Sequence, residues 1–152
     1  MSLTSVAFDI DIDTTRPAPP EGTAEATLES WGESRTFTAK NPTPDAEAYL
    51  IEKAMFLIEG TEYNTLSGYE SMRVPYDLWI TLDSNLAPSA AKTDKGPVNW
   101  KVGAFFKAFG KSVKGNKLED LVGGRCQVTV KPEMGQDGQP TGYAKVTAVR
   151  KL

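Results

Sequence analysis

At 152 residues, 39% hydrophobic and 24% charged, the chain is long enough to bury one core and too short for two ordinary domains. It has no histidine, which removes the common zinc sites, His-based triads and His acid–base pairs, and its single cysteine, Cys126, cannot form an internal disulfide. The net charge of −3 is unevenly spread: residues 1–70 hold 4 basic and 13 acidic side chains, residues 71–152 hold 13 and 7.

No apolar run approaches the roughly 18 residues of a membrane span, and no signal-peptide pattern opens the chain, so the expectation is a soluble intracellular protein without enzymatic activity or cofactor. The densest basic stretch, Lys92 to Lys117, sets seven lysines against Asp94 and, at its close, meets the polarity expected of a surface that faces a polyanion.

Residues 1–21 read as an acidic and then proline-rich arm. Phe8-Asp9-Ile10-Asp11-Ile12-Asp13 alternates apolar with acidic, and Arg16-Pro17-Ala18-Pro19-Pro20 resists regular structure. The aspartates lack the further ligands and the glycine of an EF-hand loop, so no metal site is expected.

One domain, residues 22–152, follows. Its first strand opens at Gly22 with Ala24, Ala26 and Leu28 inward, bends at Gly32 and continues through Arg35-Thr36-Phe37-Thr38. Asn41 to Asp45 reads as a loop. The second strand, Tyr49 to Glu59, is apolar on both faces, so its outer side is either covered or a contact surface. Gly60 to Gly68 reads as a turn. The third strand places Met72, Val74, Tyr76, Leu78, Ile80 and Leu82 on the core parity and Tyr69, Arg73, Pro75, Asp77 and Trp79 on the other; Pro75 requires an edge or a bulge. Residues 83–97 read as a flexible connection.

The one convincing helix is Gly96 to Gly110, entered by Gly96-Pro97 with proline near the first helical position and closed by Gly110. Val98, Val102, Phe105, Phe106 and Phe109 form an apolar stripe, and Trp100, Lys107 and Lys111 lie opposite. Two strands close the chain, Arg125 to Lys131 and Tyr143 to Arg150, with Cys126, Val128, Val130, Ala144, Val146 and Ala148 inward.

Three strands, a helix and two strands is the order of the OB-fold, a five-stranded Greek-key barrel with its helix between strands 3 and 4; a β-sandwich with an incidental helix is the competing architecture. In an OB-fold, oligonucleotides cross strands 2 and 3 between the first and last hairpin loops, here residues 38–48 and 132–142. Aromatic rings on that face offer every base a π-surface, and cations meet the phosphates. The candidate nucleic-acid-binding residues are therefore Tyr69, Arg73, Trp79, Lys53, Lys40, Trp100, Lys107, Lys111, Lys131 and Lys145.

The motifs Pro20-Glu21-Gly22-Thr23, Tyr49-Leu50 leading to Ile58-Glu59-Gly60, Ala108-Phe109-Gly110, and Leu121-Val122-Gly123-Gly124-Arg125 resemble, in this order, those of a bacteriophage family of single-stranded DNA-binding proteins of OB type, long listed as a domain of unknown function. The resemblance spans roughly residues 20–150. It implies sequence-independent single-stranded DNA binding in replication or recombination, in the cytoplasm of an infected bacterium, with self-association and contacts to other replication proteins left open. Better-known bacterial relatives in function end in an acidic tail that recruits partners, whereas Val149-Arg150-Lys151-Leu152 is basic; the acidic Phe8 to Asp13 segment is the alternative for that role. A structural or protein–protein interaction module of a phage, with no nucleic-acid binding, is the second functional expectation, because Tyr and Trp are also enriched at protein interfaces.

Overall fold

The computed structural model describes residues 2–12 and 17–152; Asp13 and Arg16, read above as parts of the arm, lie outside the described residues. The long strands are β1 (Gly22–Trp31), β2 (Arg35–Thr43), β3 (Ala46–Glu59) and β4 (Ser71–Leu82), with a short helix α1 (Glu62–Ser67) between the last two. A small hairpin, β5 (Lys92–Thr93) and β6 (Gly96–Pro97), leads into α2 (Trp100–Ala108). A 3₁₀ turn at Leu118–Leu121 precedes the closing strands β7 (Arg125–Met134) and β8 (Pro140–Arg150).

All six long strands form one antiparallel sheet, in which β3 pairs with β1 and β2 in succession along one edge and with β4 along the other, while β1 leads on to β7 and then β8. The expected first strand is thus two strands, broken between Trp31 and Arg35; Gly32 still donates its N–H to the Lys53 carbonyl at 2.7 Å. β1 pairs with β7 up to Thr27, opposite Arg125, and with β3 from Thr27 onward, opposite Leu57. The closed barrel expected from the sequence is not found: β4 and β8 lie beside each other without a ladder, leaving an open seam. Both hairpins are tighter than expected. β2 and β3 are joined through Pro44 and Asp45, with Thr43 opposite Ala46, and Met134 stands opposite Pro140 across the turn at Gly135–Gln139.

Two β-bulges reset the inward parity. Leu28 faces the core and, after the irregularity between Leu28 and Ser30, so does Trp31, which donates Nε1–H to the Leu118 carbonyl at 3.0 Å. A second irregularity on β8 opposes Val149 to Val128 and Ala148 to Thr129, so Val149 packs on the core where the sequence pattern selected Ala148. An extra residue shifts a period of two by one, and alternation alone does not reveal it.

Helix α2 starts later than expected. Pro97 lies in β6, and Asn99 precedes the helix with its side-chain amide turned to β4: Oδ1 accepts the Thr81 N–H at 2.7 Å, and Nδ2 donates to the Thr81 and Ser89 carbonyls. The connection 83–97 makes hydrogen bonds of its own, with Asp83 Oδ1 accepting the N–H groups of Asn85 and Ala87. The helix ends as expected. Gly110, at φ +72°, donates to the Lys107 carbonyl and Lys111 to that of Phe106, a Schellman arrangement that the left-handed conformation of glycine permits. Phe105 and Phe106 are buried on the sheet.

Where a turn was expected after β3, α1 forms, because Thr61 and Asn64 make a capping box. The nearly buried Asn64 amide then donates to the carbonyls of Ile58, Tyr69 and Glu70 at 2.9–3.2 Å, tying the end of β3 to the start of β4. The Gly123-Gly124 pair has a packing reason: a Cβ at Gly124 would stand 2.7 Å from the Phe109 ring. Among the described residues no helix is long and apolar enough to cross a membrane.

Asn64→Ala leaves buried carbonyls and the Thr61 N–H without partners and is expected to cost about 2–3 kcal/mol, read from the urea midpoint. Cys126 is fully buried, and burial pushes its thiol up to about 12 from an ordinary 9.0. The folded state therefore keeps a proton that the unfolded state releases between these values, so stability falls as pH rises above 9, by up to about 1.4 kcal/mol per pH unit. Urea unfolding of the wild type and Cys126→Ala at pH 8 and pH 10 checks this: the variant is expected to lose less on going to pH 10.

Candidate nucleic-acid interface

The outer face of β2, β3 and β4 carries side chains set opposite one another by register. Phe37 lies beside Tyr49 and Tyr49 beside Thr81, while Ile51 lies between Arg35 and Trp79. The Phe37 and Trp79 rings stack with centroids 6.2 Å apart, and Tyr49 meets Trp79 edge-on at 6.1 Å. Trp79 is thereby supported from below and still 47% exposed. Phe37 and Tyr49 were not among the expected site residues; the two-faced apolar character of β3 was the signal, but only the register shows which rings meet.

From Trp79 the surface falls into the seam between β4 and β8. A groove of about 480 Å³ is lined there by Tyr76, Asp77, Trp79, Trp100, Lys101 and the 145–149 segment of β8. Trp100, the first residue of α2, is 59% exposed, and the Lys101 ammonium lies 5.8 Å from its ring centroid. A second hollow, on the same helix, is lined by Gly103, Lys107, Gly110, Lys111 and Lys151. Among the described residues no ion pair engages Lys101, Lys107, Lys111, Lys145 or Lys151, although the Lys111 ammonium donates to the Asp120 carbonyl at 3.3 Å. Lys145 stands directly opposite Lys131 on β7, a like-charge pair that costs stability unless an anion lies over it.

The structure thus brings Trp79, Trp100 and Lys145 together in one groove, sets Lys131 opposite Lys145 and places Lys107 and Lys111 in the second hollow; it adds Lys101 and Lys151, which the sequence reading did not select. It separates two others. Tyr69 precedes β4, about 33 Å of extended chain from Trp79, and lines a different cavity of about 290 Å³ with Pro19, Glu133 and Tyr143. Arg73 is on the outer face of β4 but its Nε donates to Glu29 at 2.7 Å, and this hydrogen bond and charge raise its pKa; a phosphate would have to displace the carboxylate. Lys53 faces outward on β3 opposite Asp77, which is held by Arg35 at 3.4 Å, and Lys40 is exposed on β2 beyond Phe37.

Among the described residues no three Cys, Asp or Glu side chains are grouped so as to hold a metal ion. The chain matches no family model, no curated protein and no solved structure.

The Lys131–Lys145 repulsion gives a direct check on the geometry. Lys145→Glu converts the pair to an attraction and is expected to raise the urea unfolding free energy by about 0.2–1 kcal/mol at low salt, an increase that 1 M NaCl removes.

Proposed function

We propose that this chain binds single-stranded DNA without reading its sequence, with bases stacked on Trp79 and Trp100 and phosphates held by the lysines along α2 and β8. The observation that carries the reading is the placement of two exposed indoles in one groove rimmed by lysines that have no acidic partner among the described residues. A ring accepts any base and an ammonium any phosphate, so this chemistry is tolerant of sequence. Duplex DNA hides its bases in the stack and offers only the phosphate half of the interaction.

The strand order supports an OB-type architecture, with β1 and β2 as the bent first strand and the β4–β8 seam as an unsealed closure. Together with the motif resemblance, this supports a role as a phage replication or recombination accessory that coats transient single strands in the infected cell. The Phe37–Tyr49–Trp79 cluster favours a second reading, a protein-interaction face, because exposed clustered aromatics also serve as anchors between proteins.

Tryptophan fluorescence titration with an oligo-dT, against a matched duplex, separates the two readings. Quenching is expected for the single strand, with Trp79→Ala and Trp100→Ala each weakening affinity about tenfold or more. If five lysines each meet a phosphate, log affinity falls with log salt at a slope of about −3.5. No quenching and no gel shift, with salt-insensitive self-association instead, would move the protein-interaction reading into first place.

A further inference from the structure

The cavity that holds Tyr69 lies on the same two strands as the Trp79–Trp100 groove. On β4, Pro75 lines the cavity and Asp77 the groove; on β8, Tyr143 lines the cavity and Lys145 the groove. Residues two apart on a strand share a face and stand about 7 Å from each other. On both strands, therefore, the two hollows follow one another along the β4–β8 seam, which runs about 20 Å from the level of Arg73 to that of Trp79.

The lining of the cavity suits a flat, uncharged ring. Tyr69 and Tyr143 are 41% and 57% exposed, Met72 and Pro75 add apolar surface, and Pro19, itself buried, lines the cavity with them. The Tyr69 backbone is held on both sides: its carbonyl accepts the Asn64 amide at 3.0 Å and its N–H donates to Ser67 Oγ at 3.4 Å. The charges here disfavour a phosphate, because Glu29 already engages Arg73 at 2.7 Å and Glu133 adds a carboxylate. A guanidinium held at its edge still offers its flat face to a ring. The cations come at the next step of the seam, where Lys145 stands opposite Lys131. A strand crossing the sheet instead would carry its phosphates over Glu29 and Glu25, each held by an arginine.

Resting on the single-strand reading of the groove, we propose that this cavity is a second base subsite. One base lies against Tyr69, Arg73 and Tyr143, the phosphates that follow pass over Lys145 and Lys131, and the next bases stack on Trp79 and Trp100. The strand then runs lengthwise along the seam and does not cross the sheet, as the OB arrangement expected from the sequence would have it. The consequence is a minimum length: an oligonucleotide too short to reach both hollows forfeits one set of rings.

Two readouts on the full chain test this, with an oligo-dT of about sixteen nucleotides, the upper end of what one OB unit covers. In tryptophan-quenching titrations, Tyr69→Ala and Tyr143→Ala, both at exposed side chains, are each expected to weaken affinity about fivefold or more, while Tyr143→Phe, which keeps the ring, binds as the wild type does. Photo-cross-linking to the same oligonucleotide with iodouracil in place of thymine is expected to leave adducts on Tyr69 or Tyr143 as well as on Trp79 or Trp100, located by peptide mass spectrometry. Wild-type affinity in both alanine variants overturns the second subsite and leaves the groove reading standing. Equal losses in Tyr143→Phe and Tyr143→Ala overturn it too, by assigning the effect to the hydroxyl. So do adducts confined to the tryptophans, because any loss in the variants then acts through the fold. If the wild type shows neither quenching nor adducts, the single-strand reading itself falls and the subsite with it.

Discussion

Phe105 is the contact on which the arrangement depends. Its ring lies 5.3–6.3 Å from those of Trp31, Phe56, Tyr76 and Phe109, which come from β1, β3, β4 and the end of α2. Because β4 and β8 share no hydrogen-bonded ladder, the ends of the sheet are held by side chains, and α2, which touches both strands, is the brace between them. The same burial decides what faces out. At 100° per residue, fixing Phe105 inward turns Trp100 and Lys107 about 140° and 160° away from it. A demand of packing thereby sets the rim of the groove.

The sequence pattern was most informative where one period ran undisturbed. The core parity of β4 from Met72 to Leu82, the burial of Cys126, Val128 and Val130, and the exposed position of Trp100 all follow from alternation or helical spacing. It was least informative where a local device interrupts the period. The bulges before Ser30 and at Thr147 move Trp31 and Val149 inward, the Thr61–Asn64 box makes a helix from a segment with turn glycines at both ends, and the Asn99 amide ties a Ser- and Pro-rich connection to β4. The Thr61–Asn64 box is a local signal that the flanking glycines masked; the others depend on hydrogen bonds to residues distant in sequence or on one inserted residue. For the groove, types and faces were legible, but the separation of Tyr69 from Trp79, the pairing of Arg73 with Glu29 and the meeting of Phe37 with Trp79 required the register.

Charge on the two surfaces is divided by side-chain type. On the outer face of the sheet, Arg35, Arg73 and Arg125 hold Asp77, Glu29 and Glu25, while the lysines along α2 and β8 are left to solvent. A planar guanidinium is well suited to a fixed carboxylate, and a compact ammonium on a flexible stem is suited to a ligand whose phosphates do not take one position. Part of the basic excess of residues 71–152 therefore stands along α2 and β8 without a carboxylate partner among the described residues.

The free edge of β4 has one more consequence. The Thr81 N–H and carbonyl are turned toward Asn99, so the odd-numbered residues of this strand address the edge away from β3, and Pro75 is among them. A position without a donor and a position already filled by an amide are both unusable by an incoming strand. Pro75 and Thr81 are in this way unavailable to an incoming strand, which works against pairing of a second chain through the open seam.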